Sequence, residues 1–246
     1  MDEINIEGSN FEQTIGVSKF VKLVLNNKKS NPKLGAIINV FGVNPENRRK
    51  EKVFAKVLER TKFLEFYAKT SKTISKEWIV GIPTIKFGNG IWKPNSGINL
   101  GKLKDYKKLN SYCKWDFSVK GFGELIFDLW LTKGNKQPIS NDVEIMIVLE
   151  KNFNLPWEKI GNIKNFEILH NIKKKGDNSH VFAFIKKRKS NSIKLNFLEL
   201  VKFCEGFLKK NLKEYNLRSI DFGPEFSNNT EIIIKLYKLV FNFKKK

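Results

Sequence analysis

Asp128 and Glu144 lie in two neighbouring segments, LIFDLWLT and NDVEIMIVL, whose side chains alternate with the period of a β-strand. In the first, Leu125, Phe127, Leu129 and Leu131 line one face, while Ile126, Asp128, Trp130 and Thr132 line the other. In the second, Val143, Ile145, Ile147 and Leu149 oppose Asp142, Glu144, Met146 and Val148. Each segment has an apolar back and a front of acid, thioether and aromatic groups, which predicts the floor of a cleft. Such a floor suits sugar chemistry. Carboxyl groups transfer protons or attack carbon, and an aromatic plane offers apolar area to the C–H face of a pyranose.

A third acid repeats the arrangement. If 217–226 is extended, Arg218, Ile220, Phe222 and Phe226 face one way, and Ser219, Asp221, Gly223 and Glu225 face the other. Two carboxyl groups on one concave sheet suit glycoside cleavage, in which one is ionised and the other holds a proton. Retention of configuration needs them about 5 Å apart and inversion about 6.5–9.5 Å. Taken singly, an acid on the outer face of a strand is ordinarily solvated; the conjunction of Glu144, Asp128 and Glu225 is what favours a site. Asp128, in an otherwise apolar run, is expected to be buried with a partner. Trp92 and Trp130 are the candidate sugar plates. Trp78, Trp115 and Trp157 read as packing residues, and His170 and His180 as loop residues without a catalytic role.

The elements that must position these groups are mostly strands. VSKFVKLVLNN, AIINVFGV, KVFAKVLE, TKFLEFYAK, WIVGIPTIKFG, WDFSVKGFG, LIFDLWLT, VEIMIVLE, HVFAFIKKR, LRSIDFGPEF and EIIIKLYKLVFNF carry alternation or a β-rich run between Asn, Gly, Ser, Pro and Lys clusters. They predict an all-β fold of two packed antiparallel sheets. KVFAKVLERTKFLEFYAK reads as a hairpin turning at 59–62. One segment departs: Phe197, Leu200, Val201, Cys204, Phe207 and Leu208 recur at helical spacing, so an amphipathic helix is expected there. A chain of 246 residues suits one domain, expected over 16–246 after a flexible segment 1–15.

The net charge of +21 raises the question of a polyanion partner. The excess is lysine, however, with arginine only at Arg48, Arg49, Arg60, Arg188 and Arg218, and its clusters are scattered along the chain. No specific nucleic-acid partner is expected. The only cysteines, Cys113 and Cys204, read as buried reduced thiols, with a disulfide left open. With two isolated histidines, neither a metal nor a cofactor is expected. No apolar run is long enough for a transmembrane helix. The acidic start lacks a secretory signal, leaving either an intracellular protein or an exported one whose signal has been removed.

The motifs GIPTIKFGNGIWKPNSGINL, FDLWLT, NDVEIMIVLE, VFAFIKK, the following helix and IDFGPEF, in this order, resemble glycoside hydrolase family 12 over roughly 20–243. The resemblance implies a jelly-roll sandwich with a concave cleft and one helix packed on the convex side. It implies endo-acting, retaining hydrolysis of β-1,4-glucans by a monomer, and an extracellular setting. Residue by residue, Glu144 would be the nucleophile, Glu225 the general acid/base, Asp128 the hydrogen-bond partner of the nucleophile, and Met146 its neighbour on the floor. Three departures stand out. Lys28 or Lys29 follows the early Asn-Asn pair where the family has a tryptophan platform, Ile82 precedes Pro83 in place of a tyrosine, and Val148 and Leu149 replace the aromatic that ends the nucleophile strand. A carbohydrate-binding jelly roll without turnover is the alternative, and a basic polyanion-binding sandwich the third reading.

Overall fold

The computed structural model describes residues 6–7, 11–15, 19–25, 28–30, 34–39, 53–70, 79, 81–89, 99–134, 142–172 and 179–246, with side chains described for 19–21 and, within those ranges, from 55 onward. Trp78, Trp92 and the Asn26-Asn27 pair lie outside the described residues. The first strands are β1 (Ile6–Glu7), β2 (Phe11–Ile15), β3 (Val21–Leu25), β4 (Lys28–Ser30), β5 (Leu34–Asn39), β6 (Val53–Glu59), β7 (Leu64–Thr70) and β8 (Ile82–Gly88). They are followed by β9 (Tyr106–Lys120), β10 (Gly123–Thr132), β11 (Val143–Lys151), β12 (Glu158–Ile163), β13 (Phe166–Ile172), β14 (His180–Lys186) and β15 (Ser192–Asn196). Helix α1 (Phe197–Leu208) then leads to β16 (Asn216–Phe226) and β17 (Glu231–Lys245).

The strands form two sheets packed as a jelly-roll sandwich. A nine-stranded sheet has the order β12-β13-β14-β11-β10-β16-β8-β5-β2. An eight-stranded sheet is built on β17, which pairs with β7 and β3 along one side and with β9 along the other, and β15 closes the β9 edge. Pairing is antiparallel except at β11–β14 and β17–β3. Segment 1–15, expected to lie outside the domain, carries β1 and β2, which pair with β6 and β5. The expected hairpin forms as β6 and β7, with Glu59 opposite Leu64.

The alternation in the sequence maps onto the two faces of the nine-stranded sheet. Leu125, Phe127, Leu129, Leu131, Val143, Ile145, Ile147 and Leu149 belong to the core between the sheets. Ile126, Met146 and Val148 belong to a smaller cluster on the opposite, concave face, with Leu169, Val181 and Ala183. Helix α1 covers the convex back of this sheet. It buries Phe197, Leu200, Val201 and Cys204, with Phe197 edge-on to Phe127 at 5.7 Å and Phe203 edge-on to Phe184 at 5.9 Å. Lys209, in the left-handed conformation, ends the helix by returning its N–H to Glu205 O.

His170 and His180 lie on β13 and β14 rather than in loops, their rings stacked with Nε2 and Nδ1 3.2 Å apart. Burial lowers the pKa of both, which favours neutral imidazoles. Cys113 and Cys204 are free and fully buried, and burial pushes both thiols well above their ordinary range. Trp115 is a core residue whose Nε1 donates to Glu150 Oε1 at 3.2 Å.

Candidate active site

The central strand of the concave face is β10, flanked by β11 and β16. Residues that are direct partners in an antiparallel pair point the same way, so the register lays out the floor row by row. Trp130 is opposite Glu144 on β11 and Ser219 on β16. Asp128 is opposite Met146 and Asp221; Ile126 is opposite Val148 and Gly223. Glu124 is opposite Lys151 and Glu225. Four expected site residues, Asp128, Trp130, Glu144 and Met146, therefore occupy two adjacent rows on two adjacent strands.

Four of these acids are withdrawn from solvent: Asp128 is 8% exposed, Glu144 7%, Glu225 8% and Glu124 1%. Carboxyl groups are rarely so buried unless partnered. Asp128 Oδ2 accepts a 2.9 Å hydrogen bond from Trp130 Nε1. Asp221 is bracketed by Ser219 Oγ, which donates to its Oδ2 at 3.2 Å, and by Lys86 Nζ at 3.8 Å from Oδ1. Glu124 is hydrogen-bonded to Glu225, and its carboxyl is pushed up to about 7, mainly by burial and against the lowering effects of that bond and of Lys151.

Glu225 shares the face but not the row of Glu144. Its partner Glu124 lies six residues along β10 from Trp130, the partner of Glu144. On a straight strand that interval is roughly 20 Å. A bulge between Leu125 and Ile126 falls within it and another between Trp130 and Leu131 lies just beyond its end, and bulges bend a strand and add twist. Asp221 lies between the two rows, opposite Asp128.

Two residues acquire a place at the site only through the fold. Glu124 was not singled out because its neighbours Leu125 and Gly123 make it look like the polar start of a strand. Trp157, read as a packing residue, is partly buried against the concave-face cluster that contains Met146 and Val148. A Trp after Pro156 in the β11–β12 connection was the only signal for it.

No protein-family model matches the chain, and no curated protein matches it in sequence. Solved structures do match over its full length. A family 12 xyloglucanase from Bacillus licheniformis superposes with a TM-score of 0.73 at 16% identity, covering 99% of this chain and all (100%) of that one. An endoglucanase from Rhodothermus marinus gives 0.72 at 12% identity, with 99% and 100% covered. The fold is that of the family 12 glycoside hydrolases. Endoglucanase 3 of Trichoderma harzianum, also from family 12, agrees at a TM-score of 0.67 and 10% identity, with 98% of each chain covered. The family 12 likeness thus spans both sheets and the helix.

Proposed function

We propose that this chain is a retaining endo-glycoside hydrolase acting on β-1,4-glucans. The observation that carries the reading is the set of buried carboxyl groups on one concave face, in a fold shared with family 12 glucanases and xyloglucanases. In this reading Glu144 attacks the anomeric carbon while Glu225 protonates the departing oxygen, which requires the twist and bulges of the sheet to close the interval between their rows to the roughly 5 Å that retention needs. Glu225 then activates water to release the glycosyl–enzyme intermediate. Asp128, held by the Trp130 indole, orients Glu144 from the neighbouring row, and Met146 shapes the floor beside it. Trp157 supplies an aromatic surface against the cluster that contains Val148, where the family strand ends in an aromatic. No cofactor is needed.

The register favours a second assignment of the proton donor. Asp221 is nearer to the Glu144 row than Glu225 is. Its ion pair with Lys86 favours the carboxylate, however, which suits a general acid poorly. Glu225, paired with another buried carboxyl, is better placed to keep a proton.

The test is reducing-sugar release from mixed-linkage β-glucan and xyloglucan by the native chain and by Glu144→Gln, Glu225→Gln and Asp221→Asn, with the product anomer read by NMR. Loss of the nucleophile or of the general acid should cost about 10²–10⁴-fold. Inactive Glu225→Gln with active Asp221→Asn supports the first assignment, and the reverse pattern supports the second. An inactive but folded native chain that is still retarded by β-glucan in an affinity gel would replace hydrolysis with binding.

A further inference from the structure

Glu124 and Glu225 form a buried carboxyl pair that sequence patterning does not reveal. They are direct partners across β10 and β16 and are 1% and 8% exposed. A hydrogen bond joins their side chains. Glu124 Oε2 is buried with no hydrogen-bond partner among the described residues. An ionised carboxylate would leave that oxygen desolvated and uncompensated, so the neutral form is favoured. Across the other edge of β10, the partner of Glu124 is Lys151, whose Nζ is turned away to Phe153 O at 2.6 Å and Asn154 Oδ1 at 3.3 Å. Among the described residues, then, Glu225 on β16 and Lys151 on β11 are the charged groups that face Glu124 from the adjacent strands.

The ends of the two adjoining hairpins fix this geometry. Thr230 Oγ1 accepts from Phe122 N and donates to Phe122 O, both at 3.0 Å, tying the β16–β17 turn to the β9–β10 turn. Gly121, at φ 85°, allows that approach, since a Cβ there would collide with Asn229 O. Gly123 N is held by Asn152 Oδ1 at 3.1 Å. Glu124 and Glu225 each stand only a few residues from these ties, so neither backbone is at liberty to separate the carboxyls.

We propose that Glu124 is a positioning residue that shares one proton with Glu225 and so keeps Glu225 in its acid form as the pH rises toward neutrality. Two carboxyls at hydrogen-bond distance in a buried site do not both ionise readily, and the pair titrates as a unit. The proposal rests on the assignment of Glu225 as proton donor, but the proton sharing itself can be read without turnover. Burial holds the Glu124 carboxyl at about 7 against an ordinary 4.5. The folded chain therefore binds more protons than the unfolded chain between these values. That contribution to stability is complete below the ordinary carboxylate range and is lost as the pH rises through about 7.

The experiment uses the full chain, with urea denaturation from pH 4 to pH 8 and kcat/KM profiles on mixed-linkage β-glucan, for the native protein, Glu124→Gln and Glu225→Gln. The expected result is a loss of stability across pH 4.5–7 that Glu124→Gln abolishes, whereas Glu225→Gln, which leaves Glu124 buried, keeps a slope at a shifted pH. The basic limb of the Glu124→Gln activity profile should move at least one pH unit lower, because the amide donates to Glu225 and favours its ionised form. A native stability slope that Glu124→Gln retains, or that Glu225→Gln leaves at the same pH, would overturn the pair. A slope that disappears while the basic limb stays in place would overturn the role of Glu124 in keeping Glu225 protonated. If the native chain proves inactive, the proposed hydrolysis fails, and the stability slope alone still decides whether the proton is shared. Should Glu124→Gln fail to fold, the shift of the slope in Glu225→Gln gives the reading from the partner side.

Discussion

The indole Nε1 of Trp130 donates a 2.9 Å hydrogen bond to Asp128 Oδ2 from a ring that is only 3% exposed. Both residues point to the concave face, two positions apart on β10, so the bond braces the acid that stands diagonally opposite Glu144. This tie makes Trp130 part of the floor. Trp130→Phe keeps the bulk and removes the donor. The expected effect is a roughly tenfold fall in kcat, the scale of one hydrogen bond, with KM nearly unchanged. A raised KM at unchanged kcat would show that Trp130 instead contacts the sugar.

Trp157 is the described aromatic that combines partial exposure with packing on the concave-face cluster. Trp157→Ala should raise KM for soluble β-glucan roughly three- to tenfold, in line with the extra energy of aromatic contacts, and reduce retardation in an affinity gel. Loss of thermal stability with unaltered KM would return Trp157 to a purely structural role.

Gly223 lies between Asp221 and Glu225, against Pro83 and Thr84 of β8. A Cβ at this position would collide with Pro83 O and stand 2.9 Å from Thr84 Cα, both of them backbone atoms that cannot swing aside. Gly223→Ala should cost about 1–3 kcal/mol in urea unfolding. It should also lower activity by pushing β16 off β8. An unchanged midpoint would mean that the two strands separate without cost.

Phe127 is fully buried at the junction of the sheets and the helix, with ring centroids 5.7 Å from Phe197, 4.8 Å from Phe222 and 6.2 Å from Phe241. It backs the strand that carries Asp128 and Trp130. Phe127→Ala should destabilise the chain by about 3–5 kcal/mol, visible as a large drop in Tm. A loss below 1 kcal/mol would indicate that the core collapses around the missing ring.

The buried thiols give a simple check on packing. Neither Cys113 nor Cys204 should react with an aromatic disulfide reagent in the native chain, and both should react after denaturation. Reaction of either under native conditions would show that the core opens locally.

All eleven segments legible in the sequence coincide with strands among the described residues, because alternation or a β-rich run is what a strand packed on a core requires. The structure adds strands whose patterns are weaker. β12 is an edge strand with an exposed or half-exposed side chain at every position, so no burial constraint shaped it into an alternating run. β9 runs from Tyr106 to Lys120, of which only the stretch from Trp115 onward was recognisable. The lysine-rich first half faces solvent on alternate positions and reads as a loop. The histidines were misread for a similar reason: His170 and His180 fall near the ends of short strands flanked by Asn, Lys and Ser.

The sequence by itself determined which side of each strand is apolar, and hence that Asp128, Glu144, Asp221 and Glu225 come to lie on one face. That information is local, since alternation fixes facing without reference to any partner strand. Only the tertiary structure decided the order and register of β11, β10 and β16. Pairing between segments far apart in sequence, as β10 and β16 are, is settled by core packing, hairpin geometry and bulges, none of which is written in a single strand. That register put Asp221 opposite Asp128 and placed Glu225 against Glu124.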